Sequence, residues 1–441
     1  MRSKTFDNRA HPSIPPVSVN LREMSTVTHS TFLTFVLLGF GSGWSLADAM
    51  YGNMAAFMAA LPEGLLLPSY AEIVGKITVA VVTIAAALLP APSLSPFQHI
   101  LWALYALGFA GCLLGAFAWH STAAVLILFF VAYAVGTVTI VTVFPLLPLF
   151  YEEALLSAVF TGNGLGCLVT GALSLLQAAV PAFSPTAYML ALAGLIACAA
   201  FSWAHVVRTG LALRPAFATK AASAAGAAPP PKVAAEDADE GAPLLLKEKA
   251  PRRATYAWVW GIAPMCAITY PVAATTWGVA PTLLPFATAH AGCSCDTQAR
   301  EPQLTYYLAT SIGFMLMPCA GLVSYARPCF HVPTLSGLAL LHLSLACVVF
   351  AAAAGAPSLA CSAAARGVVV ASVSGTRALE TYLSSCTFRM VVRRLEGEPA
   401  TQRKASLAFG QGLMFVQFVF GALAFALAQL GAVRCTLTDG A

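Results

Sequence analysis

Long apolar runs alternate with short polar or proline-marked breaks along almost the whole chain. Runs near residues 31–58, 65–89, 98–118, 122–147, 154–179 and 187–207 precede one long polar stretch, and runs near 256–288, 303–325, 333–354, 365–388 and 405–431 follow it. Each run is close to or above the roughly 20 residues with which an apolar helix crosses a bilayer. The pattern predicts an all-α, polytopic membrane protein of about eleven transmembrane helices in two bundles, six before the polar stretch and five after it.

Composition agrees with that reading. Of 441 residues, 59% are hydrophobic and 9% charged, against roughly 25% charged in soluble domains. A water-soluble chain of this length has too little polar surface to cover such a core, so the lipid bilayer is the expected surrounding. The polar segment 1–30 carries Arg2, Lys4, Arg9 and Arg22 without an apolar h-region, so it reads as a disordered cytoplasmic tail rather than a cleaved signal peptide. The segment 208–255 contains AASAAGAAPPPKVAAEDADEGAPLLLKEKAPRR. Rich in Ala, Pro and charge, it lacks the apolar surface to order itself and reads as a cytoplasmic linker. The predicted organisation is therefore tail 1–30, first bundle 31–207, linker 208–255, second bundle 256–431 and tail 432–441.

Charge sets the expected orientation. With the N-terminus inside, segments 1–30, 90–97, 148–153, 208–255, 326–332 and 389–404 are cytoplasmic and hold 18 of the 23 Lys and Arg residues. Basic residues near span ends stay on the cytoplasmic side during insertion, so the asymmetry predicts an extracellular C-terminus.

Ionisable side chains within spans are costly and mark candidate functional positions. Here they are Asp48, Glu72, Lys76, Arg377 and Glu380. Glu72 and Lys76 are spaced i,i+4, and Arg377 and Glu380 i,i+3, so each pair can neutralise itself on one helix face. Asp48 has no local partner and is the stronger candidate for a pore-facing position. Of four asparagines, Asn53 and Asn163 lie in spans, where an amide needs a partner or water. Asn163 sits between Gly162 and Gly164, a setting equally suited to close helix packing. The segment YPVAATTWGVAPTLLPF, residues 270–286, joins Tyr270, Thr275, Thr276 and Trp277 with three prolines and predicts a broken, cavity-lining helix.

Most of the twelve cysteines fall within spans as small apolar packers. Cys293, Cys295, Cys361 and Cys435 fall on the expected external side, where disulfides persist. Cys293 and Cys295 are too close to pair with each other, so a bridge from one of them, or from Cys361, to Cys435 is expected. The run GCSC lacks a nearby histidine cluster, which argues against a metal site. The nucleotide-binding, metalloprotease and serine-hydrolase signatures GxxxxGK[ST], HExxH and GxSxG are absent, so enzyme classes that depend on them have no support and no cofactor or nucleic-acid partner is expected.

The stretch GSGWSLADAMYGNMAAFMAALPEGLLLPSY, residues 41–70, resembles the first span and first external turn of the eukaryotic riboflavin transporter family, matching its LPEG-x-x-LPSY block at Leu61, Pro62, Glu63, Gly64, Leu67, Pro68, Ser69 and Tyr70. FTGNGLG resembles that family's fifth-span Gly-Gln-Gly-Leu motif, with Asn163 in place of glutamine. WGVAPTLLPF is similar to its seventh-span segment at Gly278, Val279 and Pro281. LTYYLATSIGFMLMP is similar to its eighth span at Leu304, Tyr306, Leu308, Gly313 and Pro318.

The resemblance implies a major-facilitator or equilibrative-transporter-like fold and riboflavin uptake at the plasma membrane, by bundles that rock around a midplane site. The chain departs from the family at Asp48, where the family has Asn, at Asn53, where it has Glu, and at Trp277 and Met317, where it has Asn. These changes keep open a transporter of another aromatic or nucleoside-like solute, and a non-transporting receptor. Riboflavin needs aromatic faces for its ring and hydrogen-bonding groups for its edges and hydroxyls. Trp44, Trp277 and Tyr306 are candidate faces; Asp48, Asn53, Asn163 and Thr276 are candidate hydrogen-bonding groups. Glu63 is expected at the outer vestibule or as a cap on the second span.

Overall fold

The computed structural model describes residues 28–42, 44–89, 92–151, 154–180, 182–213, 257–296, 298–394 and 399–430. The expected tails and the linker, apart from residues 28–30 and 208–213, lie outside the described residues, as does Cys435.

The described chain is helical almost throughout. The first half contains α1 (His29–Ser42), α2 (Ser45–Gly52), α3 (Met54–Ala60), α4 (Leu67–Leu88), α5 (Leu94–Ala118), α6 (Thr122–Val138), α7 (Phe144–Phe150), α8 (Ala154–Ala179) and α9 (Pro185–Thr209). The second half contains α10 (Ala257–Ala273), α11 (Ala280–Ala291), α12 (Arg300–Ala326), α13 (Val332–Ala353), α14 (Ala363–Arg394) and α15 (Pro399–Gln429). Among the described residues seven helical stretches are long and apolar enough to cross a membrane, or eight if the bent pair His29–Gly41 and Ser45–Gly52 counts as one span. The all-helical membrane architecture is therefore present, whereas the count of eleven is not reached on those grounds. The expected spans 154–179, 256–288 and 365–388 are helical but fall outside the set. In the second of these, α10 is only 17 residues long before its helix changes pitch. In the third, α14 carries Arg366, Arg377 and Glu380.

Local sequence explains the breaks. Two π-helical turns, Thr139–Val143 between α6 and α7 and Ala274–Val279 between α10 and α11, each precede a proline, Pro145 and Pro281. A proline has no N–H for the carbonyl four residues before it, and a π turn re-pairs the backbone around the gap. The broken helix expected in residues 270–286 is this second turn. In contrast, α9 is built from regular signals. The Ser184 hydroxyl accepts from the Ala187 N–H at 3.3 Å, Pro185 occupies the first turn, and Gly210 ends the helix at φ +62°.

Large apolar side chains on the outer faces, including Leu88, Phe201, Trp260, Leu340 and Phe415, are exposed, as lipid contact requires. The two halves meet along two seams. On the α8–α12 seam a Cβ added to Gly171 would lie 2.8 Å from the Ser311 carbonyl oxygen, and one at Gly164 would lie 3.4 Å from Pro318. On the α4–α15 seam the Lys76 stem rests on Gly421, 3.3 Å from the position of an added Cβ, and Tyr70 meets Phe425 with ring centroids 5.9 Å apart. Small residues at both seams let the backbones approach.

Loops gather at two ends. A bridge between Tyr151 and Leu213 marks the end from which the linker leaves. At the opposite, turn end, the Gln298 amide donates to the Ala59 carbonyl at 3.4 Å and a disulfide joins Cys293 to Cys361. This pairing is not among those expected, while the expected bridge to Cys435 falls on a residue outside the described ones. The chain returns to Cys293 at the start of α14, where the Cys361 N–H donates to the His290 carbonyl at 3.1 Å, a proximity that spacing alone does not reveal. Cys295 is disulfide-bonded as well.

The bridge spans 68 residues and lies wholly within the second half, tying the α11 end to the α14 start. Both cysteines sit in the left-handed region, at φ 57° and 53°, which non-glycine residues seldom adopt. Replacing both with serine is expected to cost about 2–4 kcal/mol. A melting temperature below that of the wild type, both measured in detergent without reductant, checks it.

Candidate functional site

The buried polar side chains converge where the halves meet. From α2 come Asp48 and Tyr51, from α4 Glu72 and Lys76, from α6 Tyr133 and from α8 Cys167; from the second half come Trp277, Tyr306 on α12 and Arg377 on α14. Asp48, Glu72, Lys76, Tyr306 and Arg377 are each at most 5% exposed.

Lys76 and Glu72 form the expected ion pair, Nζ to Oε1 at 3.0 Å. The other carboxylate oxygen lies within hydrogen-bonding reach of the Tyr133 hydroxyl, at 2.8 Å, and of the Tyr51 hydroxyl, and the two hydroxyls are within reach of each other, so their two protons serve two of these three contacts at a time. The Lys76 ammonium also lies 5.3 Å from the Tyr133 ring centroid, a favourable cation–π distance. This network belongs to the first half, and Lys76 presents its stem to α15.

Arg377 and Glu380 do not form the pair that their spacing allows. The Arg377 Nη1 donates to the Thr310 carbonyl at 3.0 Å, and its guanidinium lies 4.2 Å from the Phe314 ring centroid and 5.7 Å from that of Trp277. Glu380 instead accepts from the Ser384 hydroxyl at 2.8 Å. The physical reason is Gly313. The Arg377 Cδ lies 2.7 Å from where a Cβ would sit there, so the glycine opens a channel that leads the side chain toward α12. Arg377 is a buried cation of the second half.

Asp48 accepts from the Cys167 thiol at 3.1 Å. Among the described residues the two ion pairs are Lys76–Glu72 and Arg366–Glu301, so Asp48 and Arg377 do not close the gap between them. The Asp48 carboxylate and the Arg377 guanidinium belong to different halves and form no ion pair with each other.

The remaining expected site residues divide by their partners. The Trp44 ring packs edge-on to Tyr133, centroids 5.4 Å apart, and lies against Gly136. Asn163 accepts from the Trp44 N–H through Oδ1 at 3.1 Å, pinning the start of α2 to α8. Asn53 is fully buried at the α2–α3 break. Its Nδ2 donates to the Ala49 carbonyl at 2.9 Å, and its Oδ1 accepts from Gln177 Nε2 at 3.0 Å. Both asparagines hold helices together. Thr276 shares a hydrogen bond of 2.7 Å with His342 Nε2, beside a small hollow lined by Thr275, Ala346, Phe350 and Thr376. Of the expected set, Trp277 lies beside Arg377, and Tyr306 stands on α12 with Thr310 and Phe314, which Arg377 contacts.

Glu63 does not cap the second span. It accepts from the hydroxyl of Thr122, the first residue of α6, at 2.7 Å, joining the LPEG turn to the next hairpin. Glu63→Ala is expected to cost about 1 kcal/mol, while Glu63→Gln, which keeps an acceptor, stays near wild type. Melting temperatures of the two variants in detergent separate them. Among the described residues no group of three His, Cys, Asp or Glu side chains could hold a metal ion.

Sequence reasoning missed Tyr51, Tyr133 and Cys167, whose polar ends look ordinary within apolar runs. It treated Arg377 as a member of a self-contained pair.

Neither a protein-family model nor a curated protein matches the sequence. Among solved structures, the chain is similar to a mutant of the nucleoside transporter NupG, with a TM-score of 0.56 and 12% identity over 92% of this chain and 94% of that one. It is also similar to a D-xylose-proton symporter, with a TM-score of 0.50 and 13% identity over 89% and 88%. The fold is shared with these solved membrane transporters. The likeness extends to the fold alone and is not specific to the riboflavin transporter family.

Proposed function

We propose that the chain moves a neutral, flat heterocyclic solute bearing hydroxyl groups across the plasma membrane, that riboflavin is this solute, and that the halves rock around the buried cluster by alternating access. The observation that carries the reading is the burial of unlike charges in both halves, Asp48 in the first and Arg377 in the second. Ionisable groups at that depth are retained at a cost that a structural bundle has no need to bear. Riboflavin in particular rests on the LPEG-x-x-LPSY block and on the three further motif resemblances. The Cys293–Cys361 bridge and the basic residues toward the linker end support an orientation with the turn end outside.

A nucleoside-like solute is the second reading. It is favoured by the charged residues near the seam, where the resembled family has an amide at the position of Asp48, and it is compatible with the fold shared with a nucleoside transporter.

Uptake of labelled riboflavin by cells expressing the chain, with excess unlabelled riboflavin or uridine as competitor, tests both. Saturable uptake competed by riboflavin supports the first reading. No riboflavin uptake despite surface expression, with saturable uridine uptake, selects the second.

A further inference from the structure

Cys295 is disulfide-bonded, and the state of the other cysteines narrows its partner to one. The sequence holds twelve. Eight of them, from Cys112 on α5 to Cys386 on α14, are free thiols, and Cys293 is joined to Cys361. The cysteine left for Cys295 is Cys435, which lies outside the described residues. Placement agrees with that count. Cys295 is half-buried in the loop between α11 and α12 at the turn end, where the Ser294 hydroxyl accepts from the Asp296 N–H at 3.1 Å and Asp296 Oδ1 from the Gln298 N–H at 2.9 Å. Helix α15 runs toward the same end, since Phe425 meets Tyr70 of the LPEG-x-x-LPSY block, and α11 packs against α15. The helix stops at Gln429, six positions before Cys435, and six extended residues reach about 20 Å.

We propose that Cys295 and Cys435 form a second disulfide, which ties the end of the chain to the α11–α12 loop beside Cys293–Cys361. Forming the bond removes two protons and two electrons from the two thiols; by thiol–disulfide exchange they pass to a protein disulfide of the oxidising compartment, which becomes a dithiol. The two bridges then gather the outer ends of α11, α14 and α15, all in the second half, whereas Cys112, Cys167 and Cys198 of the first half are free thiols. The loop that carries both bridges is also the one whose Gln298 amide reaches the Ala59 carbonyl of the first half. The second half thus meets the first at this end through a cross-linked cap, which travels with the second half when the halves rock. Such a bond persists on an oxidising side, so it sets the C-terminus outside with the turn end, opposite the linker. The bond itself is independent of which solute is carried.

The test is mass spectrometry of the purified full-length protein, alkylated without reduction and then cut with trypsin. Cleavage after Arg434 releases residues 435–441, CTLTDGA, and cleavage after Arg253 and Arg300 gives fragment 254–300, which holds Cys266, Cys293 and Cys295. The C-terminal peptide is expected to be joined to fragment 254–300 before reduction and to appear alone once reductant is added. In the double variant Cys293→Ser with Cys361→Ser the join is expected to remain, which assigns it to Cys295 rather than Cys293. Where that variant does not fold, Cys295→Ser serves instead, and its C-terminal peptide is expected to be alkylated without reduction. On intact cells Cys435→Ser is expected to expose one more thiol to a membrane-impermeant maleimide than the wild type does, which also reports the side on which the loop lies.

An alkylated C-terminal peptide from the unreduced wild type would overturn the bridge. Recovery of that peptide on any other fragment, or in a dimer that reductant splits, would do the same. A join that survives in Cys295→Ser would move the bond to Cys293 and overturn the assignment. None of these readouts measures transport, so their failure and the failure of the riboflavin reading are separate results.

Discussion

Glu72→Ala is expected to lower stability by about 3–5 kcal/mol, the usual result of removing one partner from a buried ion pair. Lys76 is 2% exposed. Its ammonium would lose the carboxylate 3.0 Å away and retain only the Tyr133 face. The same substitution strips the hydroxyls of Tyr51 and Tyr133 of their common acceptor. Against a total stability of roughly 5–15 kcal/mol for a folded domain, such a loss is visible as poor recovery from membranes and a strongly lowered melting temperature. The double variant Glu72→Gln with Lys76→Met removes both charges together, keeps an acceptor for the tyrosines, and is expected to recover most of the loss. A single variant that melts with the wild type would show that the network is not load-carrying in the way its geometry implies.

Gly171→Leu is expected to reduce solute uptake by at least about tenfold while leaving the protein folded. Its added Cβ would already lie 2.8 Å from the Ser311 carbonyl oxygen and 3.1 Å from Met315, and backbone oxygen has little freedom to retreat. Helices packed through small residues lose their close approach when a larger side chain intervenes. The α8–α12 seam joins the two halves, so prying it open removes the closed arrangement that alternation has to pass through. Gly194 is the control, since a Cβ there would meet nothing within 4 Å. Gly194→Ala is expected to keep full uptake, with helix stability raised by up to about 1 kcal/mol. Surface expression and uptake measured side by side separate a blocked cycle from a lost protein.

The helices were legible in the sequence because apolar run length is a direct measure of bilayer crossing, and the π turn before Pro281 was visible as a proline-rich interruption. What the period of a helix can report also sets its limits. The i,i+4 rule found the Glu72–Lys76 pair, since both partners lie on one helix. The equally local i,i+3 spacing of Arg377 and Glu380 gave no pair, because Gly313 on another helix redirects the arginine. The rarity of Asn53 and Asn163 marked them as polar groups needing partners, but the partners are remote. Asn53 bonds Gln177, 124 residues away, and Asn163 bonds a backbone N–H of α2. Tertiary packing turned both from solute candidates into helix fasteners. Asp48 had no partner on its own helix, and the one that it has, the Cys167 thiol, comes from α8.

Riboflavin counterflow in proteoliposomes tests the central claim most directly. Vesicles holding the purified protein and loaded with unlabelled riboflavin are diluted into a trace of labelled riboflavin. The account predicts a transient accumulation of label above the level in unloaded vesicles, because a site that alternates between the two membrane faces exchanges solute faster than it returns empty. Equal label in loaded and unloaded vesicles, from protein that is folded and inserted, would contradict it.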